Sequence, residues 1–435
     1  MHNNGNLGLT YMDTQQSPFH IGIDARFPGG VLGGVEQTVK GLAHGFSCLA
    51  TPGEQIHFLC HRNASDWLTP ALQAPHCTPL YMPGDLPAYR KSSATRWCQW
   101  ALHRIWPWIP TWGRLGRVRI ASSDGTAETA GLHLLHFTHS DSFLTRLPFL
   151  YQIHDLQHRH LPAFFSKREQ YVRDARYQRF CTDARQVTVM TRWGRRDLIA
   201  QYGITEAKIA VIPWAPLLPF LPPPAPGLLR ELDQRWNLPE RFLFYPAQTW
   251  PHKNHLALLE ALAWLRDVHR LRIPLVCSGL QNRHYPVIRR RVEALGLGDL
   301  VCFTGFISDA ELRGLYARAD ILVFPSQFEG FGMPVLEAFS AGLPVVCSTA
   351  ACLPDLCGDA ARLFDPDAPE AIAAALAELW NQPERRCELR ERGLRRAAAF
   401  TWEQTCRHFR ALYRQVLNRP LTDEDQHLLA ATPLV

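Results

Sequence analysis

Short apolar runs alternate with longer amphipathic segments along nearly the whole chain, and this pattern constrains the fold more than any other feature. The longer segments carry apolar residues at helical spacing, as in Val35, Val39, Leu42 and Phe46. Alternating strands and helices predict parallel sheets with helices on both faces. The predicted strands are 20–26, 55–60, 133–138, 149–154, 186–191 and 209–214, followed by 242–246, 273–278, 301–305, 321–324 and 344–348.

A proline-rich segment divides this pattern into two sets. Residues 213–226 contain seven prolines, which cannot donate to a sheet ladder and disfavour a helix. At 435 residues the chain also exceeds what one hydrophobic core usually serves. We therefore predict two Rossmann-like α/β domains with a cleft between them. The predicted boundaries are 18–214 for the N-terminal domain, 215–235 for the linker, 236–400 for the C-terminal domain and 401–418 for a final helix.

The composition is that of an ordinary globular protein, with 46% hydrophobic and 20% charged residues. No apolar stretch reaches the roughly 18 to 20 residues of a membrane-spanning helix. The first 17 residues lack the pattern of a signal peptide, so a cytoplasmic location is expected. The net charge of +6 is modest, and no nucleic-acid partner is expected. Cys347, Cys352 and Cys357 recur every five residues, which is not a usual zinc-ligand spacing, so no metal is predicted there.

The most informative stretch is Pro-Ser-Gln-Phe-Glu-Gly-Phe-Gly-Met-Pro-Val-Leu-Glu at residues 325–337. A buried strand is predicted to end just before it, and a glycine-bearing loop leads into a helix whose start would offer unpaired amides to an anion. A diphosphate held there would leave Glu329 near a sugar and Glu337 near a ribose. The alternative is a plain turn followed by a solvated helical glutamate. The other residues predicted to contact the ligand here are Gly332, Met333 and Pro334.

Three other segments carry candidate residues after predicted strands. Lys253 opens a helix and can reach a phosphate, although a surface lysine is the alternative. Gly33 and Gly34 would let the backbone approach a ligand closely, although an ordinary strand–helix turn fits as well. His154 precedes Asp155 at the end of a strand, where a structural His–Asp pair is the usual explanation. His136 and His139 are further candidates for the opposite side of the cleft.

Glu329 and Glu337 enclose seven residues around an inner Gly-Phe-Gly-x-Pro, and this arrangement resembles the family-four retaining glycosyltransferases of the GT-B fold. Phe-Thr-Gly at 303–305 and Gly-Leu-Pro-Val at 342–345 fit the same family, and the resemblance extends from about residue 20 to about 418. It implies that Glu329 contacts the donor sugar, Glu337 the nucleotide ribose and His154 the sugar from the other domain. Asp155 is then expected to orient the His154 ring. It also implies that the helix at 401–418 crosses back to the first domain.

The sequence departs from this family beside Lys253. Many relatives carry an arginine several residues before the lysine, where this chain has Ala247 and Gln248. Gln248, His252 or an arginine of the first domain is therefore expected to help meet the second charge of the diphosphate. The variant resembles a bacterial subgroup that includes mannosyltransferases, which favours GDP-mannose as the donor. That donor is a substrate, so no cofactor is expected.

The resemblance leaves the mechanism and the class of reaction to be weighed. A covalent glycosyl-enzyme needs a carboxylate beneath the anomeric carbon, where the family places neither glutamate. The alternative is attack from the face that the leaving group occupies, with stabilisation of the diphosphate by Lys253 and helix amides. Such an attack requires no metal, so a metal-independent reaction is predicted. An epimerase or phosphorylase of the same fold, or a two-lobed sugar-binding protein, is the rival interpretation.

The segment 86–120 combines basic residues with tryptophans. It holds seven arginines and lysines, five tryptophans and no acidic residue. Tryptophan favours the headgroup region of a bilayer, and basic residues favour an anionic leaflet. The segment is therefore predicted to face a membrane. The family resemblance implies that this would be the inner membrane or a lipid-linked glycan acceptor, in surface polysaccharide or lipopolysaccharide synthesis. The alternative is that the tryptophans fill the core and the arginines form a solvated face.

Overall fold

The computed structural model describes residues 18–30, 33–49, 53–83, 118, 120–221 and 223–435. Of the segment 86–120, only residues 118 and 120 are described, so the predicted membrane surface lies outside the described residues. Within the described part of the chain, every helix is too short or too polar to cross a bilayer.

The N-terminal domain is built on a parallel sheet of seven strands in the order β3-β2-β1-β4-β5-β6-β7. The central strands β1, β4 and β5 carry buried residues on both faces, as expected of a sheet that helices cover on both sides. The strands are β1 (Phe19–Asp24), β2 (Glu54–Cys60), β3 (Cys77–Tyr81), β4 (Leu134–Phe137), β5 (Phe149–Gln152), β6 (Gln186–Val189) and β7 (Ile209–Val211). The described helices are α1 (Gly34–Cys48), α2 (Thr126–Thr129), α3 (Gln157–His160), α4 (Lys167–Asp183) and α5 (Arg192–Tyr202).

The C-terminal domain repeats this plan with a parallel sheet of six strands in the order β10-β9-β8-β11-β12-β13. Its strands are β8 (Leu243–Pro246), β9 (Leu275–Ser278), β10 (Val301–Gly305), β11 (Ile321–Phe324), β12 (Val345–Ser348) and β13 (Ala361–Phe364). Its helices are α6 (Leu228–Trp236), α7 (His255–His269), α8 (Tyr285–Ala294), α9 (Asp309–Arg318), α10 (Met333–Ser340), α11 (Leu353–Cys357), α12 (Pro369–Asn381) and α13 (Pro383–Ala398). The chain ends with α14 (Trp402–Val416) and α15 (Asp423–Ala430).

The strand order reverses between β1 and β4 in the first sheet and between β8 and β11 in the second. The connections that leave these neighbouring strands depart in opposite directions, which opens a crevice at the carboxyl ends of the strands. The prediction of two Rossmann-like domains is confirmed. All eleven predicted strands are present, and β3 and β13 are two that the prediction missed.

The predicted linker 215–235 contains more structure than its prolines indicate. Its second half holds most of α6, which packs on α9 of the C-terminal domain through the buried Leu232. A Cβ on Gly314 would lie 2.9 Å from that leucine side chain, so the two helices are in close contact. The helix forms there because it can bury an apolar side chain against a neighbour, which a local reading of prolines does not show.

Helix α14 crosses back and packs against α1 of the N-terminal domain. Trp402 is fully buried, and its ring occupies the place where a Cβ of Gly41 would lie. The Tyr413 hydroxyl lies 2.8 Å from His136 Nδ1 in the core of the N-terminal domain. The helix begins with the Thr401 side chain accepting a hydrogen bond from the Gln404 N–H. The prediction of a final helix that returns to the first domain is therefore confirmed.

Candidate functional site

A cavity of about 590 Å³ lies between the two domains, at the carboxyl ends of the switch-point strands. Its walls come from the loops after β1, β5, β8 and β11 and from the first turns of α1, α9 and α10. Most of the predicted site residues therefore meet in one place. The predicted residues that line the cavity are Gly33, Gly34, His154, Gln248, Lys253, Glu329, Gly332, Met333, Pro334 and Glu337.

Lys253 and Glu329 form an ion pair in this cavity. The Lys253 ammonium donates to Glu329 Oε1 at 2.5 Å, and the side chains are 17% and 12% exposed. Lys253 ends a short 3-10 turn after β8, where the Tyr245 hydroxyl donates to its carbonyl oxygen at 2.5 Å. Glu329 lies in the loop after β11. The loops after β8 and β11 lie side by side because these strands are parallel neighbours, and they bring the cation and the carboxylate together.

Helix α10 begins at the cavity wall. Gly332, the residue before its first turn, has a φ of 96°, which favours glycine, and a Cβ there would collide with Leu353. Met333 and Pro334 form the first turn, and the proline costs no hydrogen bond because the amides of that turn have no partner within the helix. The helix therefore presents its positive dipole end to the cavity, which suits an anionic ligand.

Glu337 lies one turn into α10 and is 7% exposed. The Tyr316 hydroxyl of α9 donates to Glu337 Oε2 at 2.7 Å. The pKa of Glu337 is raised to about 7, chiefly by burial; the Tyr316 hydrogen bond opposes this shift, and the Asp309 carboxylate adds to it. At neutral pH this carboxyl is therefore divided between its protonated and ionised forms, and hydrogen-bond donors from a ligand would favour ionisation.

Two glycines allow the domains to approach each other across the cavity. A Cβ on Gly33 would lie 3.2 Å from Gln248 Nε2, and Gly33 has a φ of 50°. A Cβ on Gly330 would lie 2.1 Å from the carbonyl oxygen of His154, so only glycine fits in that loop. The Gln248 side-chain oxygen accepts from the Trp250 indole at 2.8 Å, which leaves the amide NH2 facing the Gly33 loop.

His154 enters the cavity from the N-terminal domain as a neutral imidazole. Burial lowers its pKa, although the carbonyl of Thr138 opposes the shift. Nε2 lies 2.6 Å from that carbonyl oxygen and must donate to it, so Nδ1 is the acceptor. The sequence suggested that Asp155 orients the ring. The structure instead shows the Thr138 carbonyl in that role, while Asp155 accepts from the Gln157 N–H at 3.0 Å.

His252 is the predicted site residue that the structure does not place in the cavity lining. Its carbonyl oxygen accepts from the Gln327 N–H at 2.8 Å and so joins the two loops of the C-terminal domain. Burial, and then the neighbouring Lys253, lower the pKa of His252 to about 2. The imidazole is thus neutral and does not supply a positive charge to meet the second charge of a diphosphate, as was expected of it.

Two family profiles match the chain and divide it at the same place as the fold. The profile described as Glycosyltransferase Family 4 matches residues 32–215, and the one described as Glycosyl transferases group 1 matches residues 231–396. Every predicted site residue falls within one of these two matches. Together the two matches identify the chain as a glycosyltransferase with a family-4 N-terminal domain and a group-1 C-terminal domain.

Relatives with sequence similarity include bacterial mannosyltransferases. The O-antigen chain mannosyltransferase B of Escherichia coli is 30% identical over 221 residues, which cover 51% of this chain and 58% of the relative. The serotype-specific mannosyltransferase WbdA of the same species is 31% identical over 179 residues, which cover 41% of this chain and 22% of the relative. The chain therefore spans between about one fifth and three fifths of the length of these relatives.

Solved structures share the fold over nearly the whole chain. The Anabaena protein HepE in complex with UDP and glucose superposes with a TM-score of 0.66 at 17% identity, covering 91% of this chain and 100% of that one. A glycosyltransferase of Rickettsia africae gives a TM-score of 0.65 at 16% identity, covering 93% and 100%. At these identities the likeness establishes the GT-B architecture.

The structure of this family member also shows polar residues that the sequence did not identify. Lys40 of α1 lies 3.0 Å from Glu36 and 3.6 Å from Asp309, so it joins the two domains at the edge of the cavity. Tyr316 lies on α9, and its hydroxyl contacts Glu337. Lys40 and Tyr316 are residue types that are common in helices, and their positions in the sequence give no signal of the contacts they make with other elements.

His136 and His139 are both buried within the N-terminal domain. His136 is fully buried between the Tyr413 hydroxyl and the Gln152 side chain, and burial lowers its pKa to about 4. The suggestion that it lines the cleft was wrong. His139 is 6% exposed, and its Nδ1 lies 3.8 Å from Asp24.

The cysteines near the site are buried thiols. Cys347, Cys352 and Cys357 are fully buried, and burial raises the pKa of Cys352 well above its usual value. Cys352 donates its thiol hydrogen to the carbonyl of Glu329 at 3.2 Å, so it supports the loop from below. Within the described ranges no three His, Cys, Asp or Glu side chains are grouped to hold a metal ion.

Proposed function

We propose that this chain transfers a hexose, with mannose favoured, from a nucleotide-sugar donor to a glycan or lipid-linked glycan acceptor. The observation that carries the proposal is that one interdomain cavity brings together Lys253, Glu329, Glu337 and the start of α10. These groups suit the three parts of such a donor. The helix start and Lys253 suit the diphosphate, Glu329 the sugar hydroxyls and Glu337 the ribose hydroxyls.

In the proposed reaction the bond between the sugar C1 and the diphosphate oxygen breaks, and a bond forms between C1 and the acceptor oxygen. The acceptor proton passes to the departing phosphate, and the nucleoside diphosphate is the second product. Lys253 and the amides at the start of α10 stabilise the charge that develops on the leaving group. His154, neutral and with Nδ1 as its acceptor, positions a sugar hydroxyl from the other domain.

The finer parts of the proposal rest on the family resemblance and the relatives. Retention of anomeric configuration by same-face attack is proposed because neither family glutamate is expected beneath C1. GDP-mannose is the favoured donor because mannosyltransferases are among the relatives. Surface polysaccharide synthesis, at the cytoplasmic face of the inner membrane, is the proposed setting. No metal is proposed to take part.

The test is a donor panel followed by product analysis. Native mass spectrometry with GDP-, UDP- and ADP-sugars should detect one nucleotide-sugar class bound, and a coupled assay should detect nucleoside diphosphate release only when a glycan acceptor is present. Release that needs inorganic phosphate would favour a phosphorylase, and release without an acceptor would favour an epimerase or hydrolase. The one-bond coupling constant between C1 and H1 in the NMR spectrum of the product tests retention of the anomeric configuration.

We also propose that residues 86–120 bind the membrane. The support is the sequence, with its seven basic residues, five tryptophans and no acid. Vesicle sedimentation at low and high salt tests this proposal. Salt-sensitive binding to anionic vesicles that weakens in the Arg114/Arg117/Arg119→Ala variant is expected, and a lack of binding to either anionic or neutral vesicles would overturn it.

A further inference from the structure

Within the cavity, the two groups proposed to bind different parts of the donor form an ion pair with each other. Lys253 donates to Glu329 at 2.5 Å, and both side chains are largely buried. The proposed partner of Lys253 is a phosphate, and the proposed partners of Glu329 are sugar hydroxyls. A ligand that engages either group must therefore compete with this ion pair.

Glu329 is set apart from the other carboxylates of the cavity by its partner. Among the described residues that line the cavity, Lys253 is the only lysine or arginine, whereas five carboxylates are present. Four of the five have contacts elsewhere, so they leave Lys253 to Glu329. These contacts are Glu36 with the Gly30 N–H and Lys40, Asp155 with the Gln157 N–H, Asp309 with Lys40, and Glu337 with the Tyr316 hydroxyl.

We infer that the Lys253–Glu329 pair makes the site discriminate between the nucleotide-sugar and the nucleoside diphosphate that remains after transfer. This inference rests on the proposed function and assigns Glu329 a second role, in product release. The donor offers a new partner to each member of the pair, since its phosphate binds Lys253 and its sugar hydroxyls donate to Glu329. The ion pair can then separate without leaving either charge unpaired.

The product offers a partner to Lys253 alone. After the sugar has left on the acceptor oxygen, Glu329 has lost its hydroxyl donors and faces a terminal phosphate with an additional negative charge. A partly buried carboxylate without a partner is unfavourable, and its repulsion with the phosphate adds to that cost. Glu329 therefore recaptures Lys253 and weakens the binding of the nucleoside diphosphate.

Isothermal titration calorimetry on the Glu329→Gln variant tests this inference. The amide keeps the shape of the side chain and removes the charge that competes for Lys253. With the diphosphate of the preferred base, chosen from GDP, UDP and ADP, we expect the variant to bind about tenfold more tightly than the wild type. With the corresponding nucleotide-sugar we expect about tenfold weaker binding, because a charged acceptor for the hydroxyls is lost.

Glu36→Gln is the matched control, since it removes the same charge from the same cavity at a carboxylate that pairs with Lys40. It should change the affinity for the diphosphate less than about threefold. Equal gains in both variants would show a general charge effect and overturn the inference. Unchanged or weaker diphosphate binding in Glu329→Gln would also overturn it. If no nucleotide or nucleotide-sugar of the panel binds the wild type, the proposed function itself fails.

Discussion

The two walls of the cleft have the same sheet architecture but different chemistry. The wall from the C-terminal domain presents Lys253, Glu329, Glu337 and the start of a helix, all of which carry full or partial charge. The wall from the N-terminal domain presents a glycine-rich turn, the neutral imidazole of His154, and Glu36 and Asp155, whose carboxylates contact Lys40 and the Gln157 N–H. Lys253, the only lysine or arginine of the described lining, therefore lies on the C-terminal wall, whereas the N-terminal wall contributes shape, a neutral acceptor and carboxylates that already have partners.

Helix α14 keeps these two walls facing each other. It follows the C-terminal domain in sequence yet buries Trp402 against α1 of the N-terminal domain. The N-terminal wall therefore depends on a helix that the other end of the chain supplies. The following predictions test the contrast between the walls and the helix that aligns them.

Loss of the Trp402 side chain should have the largest effect. Trp402→Ala removes a fully buried ring and is expected to lower the free energy of unfolding by about 3–5 kcal/mol, measured by urea denaturation. Truncation after Phe400 removes the whole helix and should destabilise the entire protein. Trp250→Ala is the control, because that ring is 37% exposed. A soluble, fully active truncation would show that α14 is not needed to align the walls.

Lys253→Met should have the largest effect on catalysis. It removes the one lysine of the described cavity lining while keeping most of the side-chain volume. We expect kcat/KM to fall by about 10²–10³-fold, measured with saturating acceptor. Lys167→Met, on the exposed start of α4, serves as the control. A loss below about threefold would mean that leaving-group charge is met by groups other than the C-terminal wall.

Each glutamate of the C-terminal wall should contribute less than the lysine. Glu329→Gln and Glu337→Gln each lose a charged acceptor for donor hydroxyls, which costs roughly 1.5–3 kcal/mol, or about ten- to a hundredfold in kcat/KM. Initial rates at saturating and subsaturating donor would measure this loss. Unchanged kinetics in well-folded variants would refute the assignment of these residues to the donor.

The pH dependence of donor binding should report on Glu337. Burial raises its pKa to about 7, whereas hydrogen bonds from ribose hydroxyls would favour the ionised form. Donor binding should therefore be strongest above pH 7 and weaken by up to about tenfold per pH unit below it. Calorimetry at pH 6, 7 and 8 measures this trend. The Glu337→Gln variant should lack it, and an equal slope in that variant would assign the titration to another group.

The same raised pKa affects stability with the opposite sense. A carboxyl whose pKa is higher in the folded protein than in the unfolded chain favours folding at low pH. That contribution diminishes as pH rises from about 4.5 towards 7. Glu337→Gln should therefore gain stability relative to the wild type as the pH rises through this window, as urea denaturation would show.

His154 should give the smallest effect. As a neutral acceptor it can contribute one uncharged hydrogen bond, so His154→Ala should lower kcat/KM by about two- to tenfold. Because burial lowers its pKa, His154 should add no inflection to the rate profile between pH 6.5 and 8. A loss as large as that of Lys253→Met would contradict the expectation that Lys253 of the C-terminal wall contributes more than the neutral His154 of the N-terminal wall.

The strands of both sheets were predictable because fully buried parallel strands are continuous apolar runs. The two missed strands are at sheet edges, where this signal is weak. β3 contains Pro79 and buries only Cys77, and β13 buries only Phe364. Edge strands depend on one neighbour for their hydrogen bonds, and local sequence does not reveal that neighbour.

The sequence alone determined the two-domain α/β plan, the position of the cleft and most of its lining, because motifs at the ends of parallel strands necessarily converge. Only the tertiary structure decided which groups touch. It paired Lys253 with Glu329, brought the Tyr316 hydroxyl to Glu337, buried His136 beneath α14 and left His252 outside the cavity lining. Each of these contacts joins residues distant in sequence, and whether they meet depends on how helices pack on the sheets, which no local pattern encodes.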